Sequence, residues 1–357
     1  MVINRRFWKF IIGSLFLVFI WAMSAWLHFL YTPLIRDENG LQYTVQEGSS
    51  IRSVIDDLAA QQIIKSPTFF KLLVHMKGVA HELKAGEYFF PKGTTSPKLL
   101  EQIITGSGMI YHSFMIVPGW NFKELRLALL HNKHLHHTLE FLSHREIMTN
   151  LGYPNLDPEG EFFPDTYYFA EGSQDKIILK RAFKKMQERL NTAWQHRAPH
   201  LPFKTPYEAL IAASIIEKEA YLESELPKIA GVMVNRLKAN MLLQFDPTVI
   251  YGVGERYTGK IRHSDLIADN PYNTYIHKGL PPTPISMPSL AAIDAILHPA
   301  QHHYLFFVAQ KDGSSAFTQQ LSDHNKAVAL VRKSKEFFNY SLVRYHWLKL
   351  FSHTAIQ

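Results

Sequence analysis

A chain of 357 residues with no cysteine has room for one large or two modest domains, and it excludes thiol catalysis, CxxC redox chemistry and cysteine-ligated zinc. Its formal net charge of +7 and pI near 9.2 favour an anionic neighbour such as acidic lipid or an acidic polymer. The sequence holds neither a Gly-rich phosphate loop nor a basic run interleaved with aromatics, so nucleic acid is not an expected partner.

The first element in the chain is the clearest. From Phe10 to Tyr31 no residue is charged, and the run is long enough to cross a bilayer core as a helix. Arg5, Arg6 and Lys9 precede it, which by the positive-inside rule makes residues 1–9 a cytoplasmic tail and exports the chain beyond residue 31. Trp8, Trp26 and Tyr31 lie near its ends, where amphipathic rings prefer the interface. The competing reading is a cleaved signal peptide with Ala22 and Ser24 at a small-x-small site, but the apolar run continues past that point.

Residues 41–108 alternate between strand and helix patterns. Tyr43-Thr44-Val45 with Gly48 predicts a strand and turn, and Ile51, Val54, Ile55 and Leu58 recur at helical spacing after Ser49 or Ser50 as N-cap. A second helix is expected over Phe69–Met76, a strand over Gly86–Phe90, and a helix from Ser96-Pro97 through Ile104. The strand-helix-helix-strand order and the opening YTVQEGSSIRSVIDDL resemble a LysM-type glycan-binding module. The plain alternative is a small domain that only supports its neighbour.

A larger region spans 109–330. It opens with a strand over Ser113–Val117, turns at Pro118-Gly119, and runs through helical stretches to Leu151. A turn-rich segment from Asp157 to Tyr167 leads into a basic helix from Gln174 to Ala193. The histidines 131, 134, 136 and 137 sit in a polar, loop-like run and read as solvated surface rather than a metal site. No metal and no cofactor is expected.

Thr205-Pro206-Tyr207-Glu208 has the form of a capping box, with Thr205 as N-cap, Pro206 at the first helical position and Glu208 reaching back. Ala209 to Ile216 are almost entirely apolar, as in a helix buried on all sides. At 100° per residue Glu217 shares the row of Leu210, Ala213 and Ser214, while Glu219 is rotated by about 200°. A carboxyl held against an apolar face keeps its proton more readily, which suits a general acid. The bland reading is a helix end whose Glu217 and Lys218 meet solvent or an ion pair. Ser224 is the expected cap of a next helix with Ile229, Ala230, Met233, Val234 and Leu237 as its core stripe and the polar Asn235-Arg236 near its end. In LLQFDPTVIY, Pro247 biases Asp246 towards extended geometry, which would place Gln244 and Asp246 on one face of an extended segment. Tyr272-Asn273-Thr274-Tyr275 and Gly279 to Ile285 read as rigid aromatic and amide-rich loops suited to a groove for an extended polar polymer.

The segments IIEKEA, VNRL, LLQFDPTVIYGVGERYTGKI, NPYNTY, GLPPTPI, HPA and SDHNKAV resemble the motif series of the endolytic murein transglycosylase family, also called the YceG-like family. The likeness spans residues 41–330 together with the anchor. It departs at VPGW (117–120), which replaces a PEG turn, and at SMPS (286–289), which replaces an Asn-Pro-Gly turn. The resemblance implies that Glu217 is the catalytic glutamate and that the substrate is the glycan strand of peptidoglycan. It also implies a single-pass inner-membrane protein with its catalytic domain in the periplasm. The expected fold is α+β: a transmembrane helix over 10–31, a LysM-like βααβ subdomain over 41–108, and a mixed α/β catalytic domain over 109–330. A tail over 331–357 carries Tyr345, Trp347, Leu348 and Phe351, which suit a membrane-surface contact or a packed terminal helix.

Asn235, Gln244, Asp246, Tyr272, Asn273 and Tyr275 are the expected substrate-binding side chains, since amides and phenols hold sugar hydroxyls and acetamides. Two rivals to the lytic reaction stay open. One is a hydrolytic muramidase whose second carboxylate is Asp246, Glu223 or Glu161. The other is a noncatalytic glycan-binding anchor that recruits peptidoglycan synthases.

Overall fold

The computed structural model describes residues 5–79, 81–310 and 312–333. The aromatic residues expected in the C-terminal tail lie outside them. By its internal contacts the chain divides into two compact units. The first comprises residues 1–113 with His134–His136 and Tyr168–Ser173, and the second Phe114–Lys133, His137–Tyr167 and 174–357.

The smaller unit begins with α1 (Arg5–Tyr31), whose stretch Lys9–Tyr31 is long and apolar enough to cross a membrane. Its last turns join the core of the unit: Phe29 is buried and packs edge-on against Phe69 and Phe70. Next come β1 (Leu41–Val45), α2 (Ile51–Ala60), α3 (Pro67–Lys77), β2 (Gly86–Phe90) and α4 (Ser96–Thr105). Ser50 caps α2 in a reciprocal capping box with Ser53. β1 and β2 pair antiparallel with Leu41 opposite Phe90 and Val45 opposite Gly86. The strand alternation turns Tyr43, Val45, Tyr88 and Phe90 inward against Ile55, Leu58, Leu99 and Leu100. Each element predicted for this region forms within a few residues of its expected bounds.

β3 (Tyr111–Met115) pairs with β4 (Thr166–Ala170), and the division between the units falls within both strands. Between them run α5 (Phe122–Leu130) and α6 (His144–Leu151). The histidine run between these helices is not the uniform surface expected from sequence. His131 and His136 are exposed or nearly so, whereas His134 is half-buried, with Nδ1 2.7 Å from Glu171 Oε2. The loop's polarity concealed an acidic partner 37 residues further along the chain.

The second unit continues with α7 (Asp175–Gln195), α8 (Pro206–Glu219), α9 (Leu226–Lys238), α10 (Asp246–Val253), α11 (His263–Leu266) and α12 (Leu290–Leu297). The antiparallel hairpin β5 (Phe306–Ala309) and β6 (Ser315–Thr318) comes next, then α13 (Leu321–Lys333). α8 is the hub. Every residue from Ala209 to Ile216 is buried, and α7, α9, α10 and α12 pack around it, as an all-round apolar helix requires. Its cap is as expected at Thr205, whose hydroxyl accepts from the Glu208 N–H at 3.2 Å. Glu208 itself reaches one residue further back and accepts from the Lys204 N–H.

Two local expectations fail. Ser224 lies inside a 3-10 turn, Glu223–Glu225, and α9 starts with Leu226-Pro227, because proline fits the first turn of a helix without an orphaned donor. The same rule governs LLQFDPTVIY, where Asp246-Pro247 opens α10 instead of continuing a strand, and the acidic Asp246 suits the helix N-terminus. Gln244 enters the turn in left-handed geometry, with φ of 54°. Gln244 and Asp246 are nevertheless both exposed, on either side of the buried Phe245.

Candidate active site

Glu217 stands at the C-terminal end of α8, one turn past the fully buried Ser214. It is half-buried, and its carboxyl is not simply set against apolar side chains. Oε2 accepts the Ser289 N–H at 3.0 Å and the Ser289 hydroxyl at 2.6 Å. Ser289 is also the N-cap of α12, accepting from the Ala292 N–H. The carboxyl thus faces the start of α12, beside the first backbone donors of that helix.

One turn earlier, Ser214 stitches the same loop to α8. Its hydroxyl accepts the Ile285 N–H at 3.0 Å, and its carbonyl accepts the Ser286 hydroxyl at 3.0 Å. The loop 285–289 is therefore held at two successive turns of α8. A second strap approaches from Pro118–Trp120. The Gly119 N–H donates to Met287 O, the Met287 N–H donates to Trp120 O, and Lys218 Nζ donates to Gly119 O at 3.0 Å. The segments VPGW (117–120) and SMPS (286–289) thus pair with each other beside Glu217.

The polar residues expected to bind substrate separate into two groups. Asn235 and Asn273 are committed to main chain. Asn235 Nδ2 donates to the carbonyls of His302 and Tyr304. Asn273 is 2% exposed, and its Nδ2 donates to the carbonyls of Asp265, Leu266 and Ala268 while Oδ1 accepts the Tyr275 N–H. Both amides organise loops, and burial obliges the Asn273 donor to find its partners within the protein. Of the others, Gln244 and Asp246 are exposed and Tyr272 and Tyr275 half-buried. Tyr275 donates to Asp246 Oδ1 at 2.5 Å, Gln244 Oε1 accepts from Arg236, and the Tyr272 hydroxyl bonds Thr283 Oγ1 while its ring packs on Tyr251.

Sequence reasoning missed two contributors. Ser289 precedes the apolar run LAAIDAIL, a legible N-cap signature. Glu159 sits in the turn-rich segment next to a glycine with φ of 78°, where spacing carries no signal. Its carboxylate accepts the Phe122 N–H at the start of α5 and the Tyr251 hydroxyl, and burial raises its pKa to about 7. Glu161 is 1% exposed, accepts from Gln187, and is raised by burial to about 8. Gly160 between them lies against Pro284, so the acidic turn supports the loop that reaches Ser289.

Comparison with known proteins agrees with this reading of the motifs. An endolytic murein transglycosylase of Bacillus subtilis is 28% identical over 319 residues, covering 84% of this chain and 87% of that protein. An endolytic murein transglycosylase of Streptococcus pneumoniae is 26% identical over 355 residues, covering 88% of this chain but 64% of its own length. A crystal structure of a YceG-like protein from Listeria monocytogenes is 26% identical and covers 81% of this chain and 99% of that one, with a TM-score of 0.49. The YceG-like family model matches residues 43–330, a span that takes in Glu217, Ser289 and the loops around them, and the chain belongs to the YceG-like family.

Proposed function

We propose that this protein is an endolytic lytic transglycosylase that cuts the MurNAc–GlcNAc linkage of peptidoglycan strands and leaves 1,6-anhydro-MurNAc ends, so terminating strand growth. The observation that carries the reading is one carboxyl, Glu217, held by Ser289 at the junction of α8 and α12 in a chain whose relatives are named for this reaction.

In this mechanism Oε2 accepts from Ser289 while the proton is carried on Oε1. Glu217 gives that proton to the bridging oxygen as the glycosidic bond breaks. The resulting carboxylate then takes the proton of the muramic acid C6 hydroxyl as that oxygen attacks C1. The anhydro ring closes, no water is consumed, and the glutamate is protonated again. One carboxyl serves as acid and then as base, whereas hydrolytic glycosidases set two across the bond, about 5 Å apart or about 6.5–9.5 Å apart. Glu161, one candidate for a second carboxylate, is closed off from a polymer by burial, whereas Asp246 and Glu223 are exposed.

Gln244, Asp246, Tyr272 and Tyr275 are the proposed contacts to sugar hydroxyls and acetamides. Asn235 and Asn273 are proposed to hold the loops that carry them. In the smaller unit the antiparallel pairing of β1 with β2 around α2 and α3 supports a LysM-like glycan-binding role. The apolar stretch Lys9–Tyr31 supports a single-pass anchor in the inner membrane, with the N-terminus cytoplasmic and both units periplasmic. Nearby peptidoglycan synthases are the natural partners of such an enzyme.

Glu217→Gln tests the assignment. The variant should fold and still bind sacculi, with cleavage reduced by about 10²–10⁴-fold. Cleavage at the wild-type rate would remove Glu217 from the mechanism.

A further inference from the structure

Four side chains converge within the smaller unit, which does not contain Glu217. Glu87 is on β2, His112 on β3, His134 between α5 and α6, and Glu171 one residue past β4. Glu171 Oε2 lies 2.9 Å from His112 Nε2 and 2.7 Å from His134 Nδ1, and Glu87 Oε2 lies 3.2 Å from the same His112 nitrogen. The two imidazoles stack with centroids 3.8 Å apart and planes at 11°. Donor atoms of His112, His134 and Glu171 all fall within 4.8 Å of one another.

Hydrogen bonds alone satisfy this cluster poorly. One carboxylate oxygen is shared by two rings, and one ring nitrogen is shared by two carboxylates, although an imidazole N–H points in a single direction. A divalent cation takes a lone pair from each nitrogen and each carboxylate at once. Zinc bonds imidazole and carboxylate donors at about 2.0–2.2 Å, which sets tetrahedral donor separations near 3.4 Å. The three donor pairs given above would each open by less than an ångström to reach that, while Glu87, which lies outside the 4.8 Å group, would swing inward and the stacked rings would turn until both planes contain the ion.

We propose that His112, His134, Glu171 and Glu87 form a structural zinc site. The donors are nitrogen and oxygen, a set that suits zinc without thiolates. Four protein ligands close the coordination shell, so the ion staples rather than hydrolyses. What it staples is specific: the short stretches His134–His136 and Tyr168–Ser173 reach the smaller unit from distant parts of the sequence, and the ion would tie them to β2 and β3. The site is independent of the reaction proposed for Glu217.

The test uses full-length untagged protein in detergent, stripped with chelator and titrated with Zn²⁺ by calorimetry. One equivalent should bind per chain, and the thermal midpoint should rise with zinc concentration. Glu171→Gln and His112→Ala should each weaken zinc binding by about 100-fold or more, more than is typical of losing an outer-shell partner. His136→Ala, at an exposed neighbour, should bind as wild type does. Co²⁺ substituted into the wild-type protein should give the intense visible bands of tetrahedral coordination, a readout that survives any folding failure of the variants. Unchanged affinity in folded Glu171→Gln, an octahedral cobalt spectrum, or no uptake by the wild type at about 100 µM Zn²⁺ would each overturn the site.

Discussion

Two donors from one residue converge on a single oxygen of Glu217, and the same serine hydroxyl also caps α12. Ser289→Ala leaves the N–H in place but removes both hydroxyl bonds. Loss of the cap should lower stability by about 1 kcal/mol. The looser carboxyl should lower kcat by about tenfold with KM nearly unchanged, since positioning acts on the reacting geometry and not on uniform binding. A steady-state assay beside a melting curve reads both, and an unchanged kcat would show that Glu217 is oriented by something else. The buried acids make a different demand. Burial raises Glu159 to about 7 and Glu161 to about 8, above their ordinary value of 4.5. Between pH 4.5 and pH 8 the folded protein therefore holds protons that the unfolded chain has released, and stability falls as pH rises through that window. Glu161→Gln removes the burden of ionising a buried carboxyl and should flatten part of the decline, by a few kcal/mol at most. Melting midpoints at about pH 5 and about pH 8 measure this. A variant that loses as much stability over that interval as the wild type would contradict it.

Loops hold the site at the scale of elements, and amides hold the loops. Asn273 satisfies three carbonyls of the preceding turn, so Asn273→Ala should cost about 1–3 kcal/mol. In a unit of this size that lowers the melting midpoint by about 2–4 °C per kcal/mol. An amide that bound sugar instead would raise KM and leave the midpoint in place, so a joint measurement of the two separates the roles. The same elements show what sequence can reveal. α8 was legible because Thr205-Pro206 and the apolar run say the same thing at two levels, propensity and pattern. α10 was not, because the residue before a proline is biased towards extended geometry while the proline itself is welcome in a first helical turn. The second tendency prevails at Asp246-Pro247. The partners of Asn235 and Asn273 were equally hidden, since a polar side chain in a loop sequence looks the same whether it faces a ligand or three carbonyls.

Across the whole molecule, the order of elements over residues 41–108, the apolar N-terminal stretch and the family motifs were open to reading from sequence, because each is a local or repeated pattern. The pairing of VPGW with SMPS, and the joining of His134 to Glu171 and His112, depend on residues far apart in the chain and needed the fold. The central claim is that one carboxyl performs a bond cleavage that consumes no water. It is tested most directly by digesting purified peptidoglycan strands in water enriched in heavy oxygen and weighing the new sugar ends by mass spectrometry. The account predicts 1,6-anhydro ends that carry no heavy oxygen. Hydrated reducing ends, each with one heavy oxygen atom per cut, would contradict it.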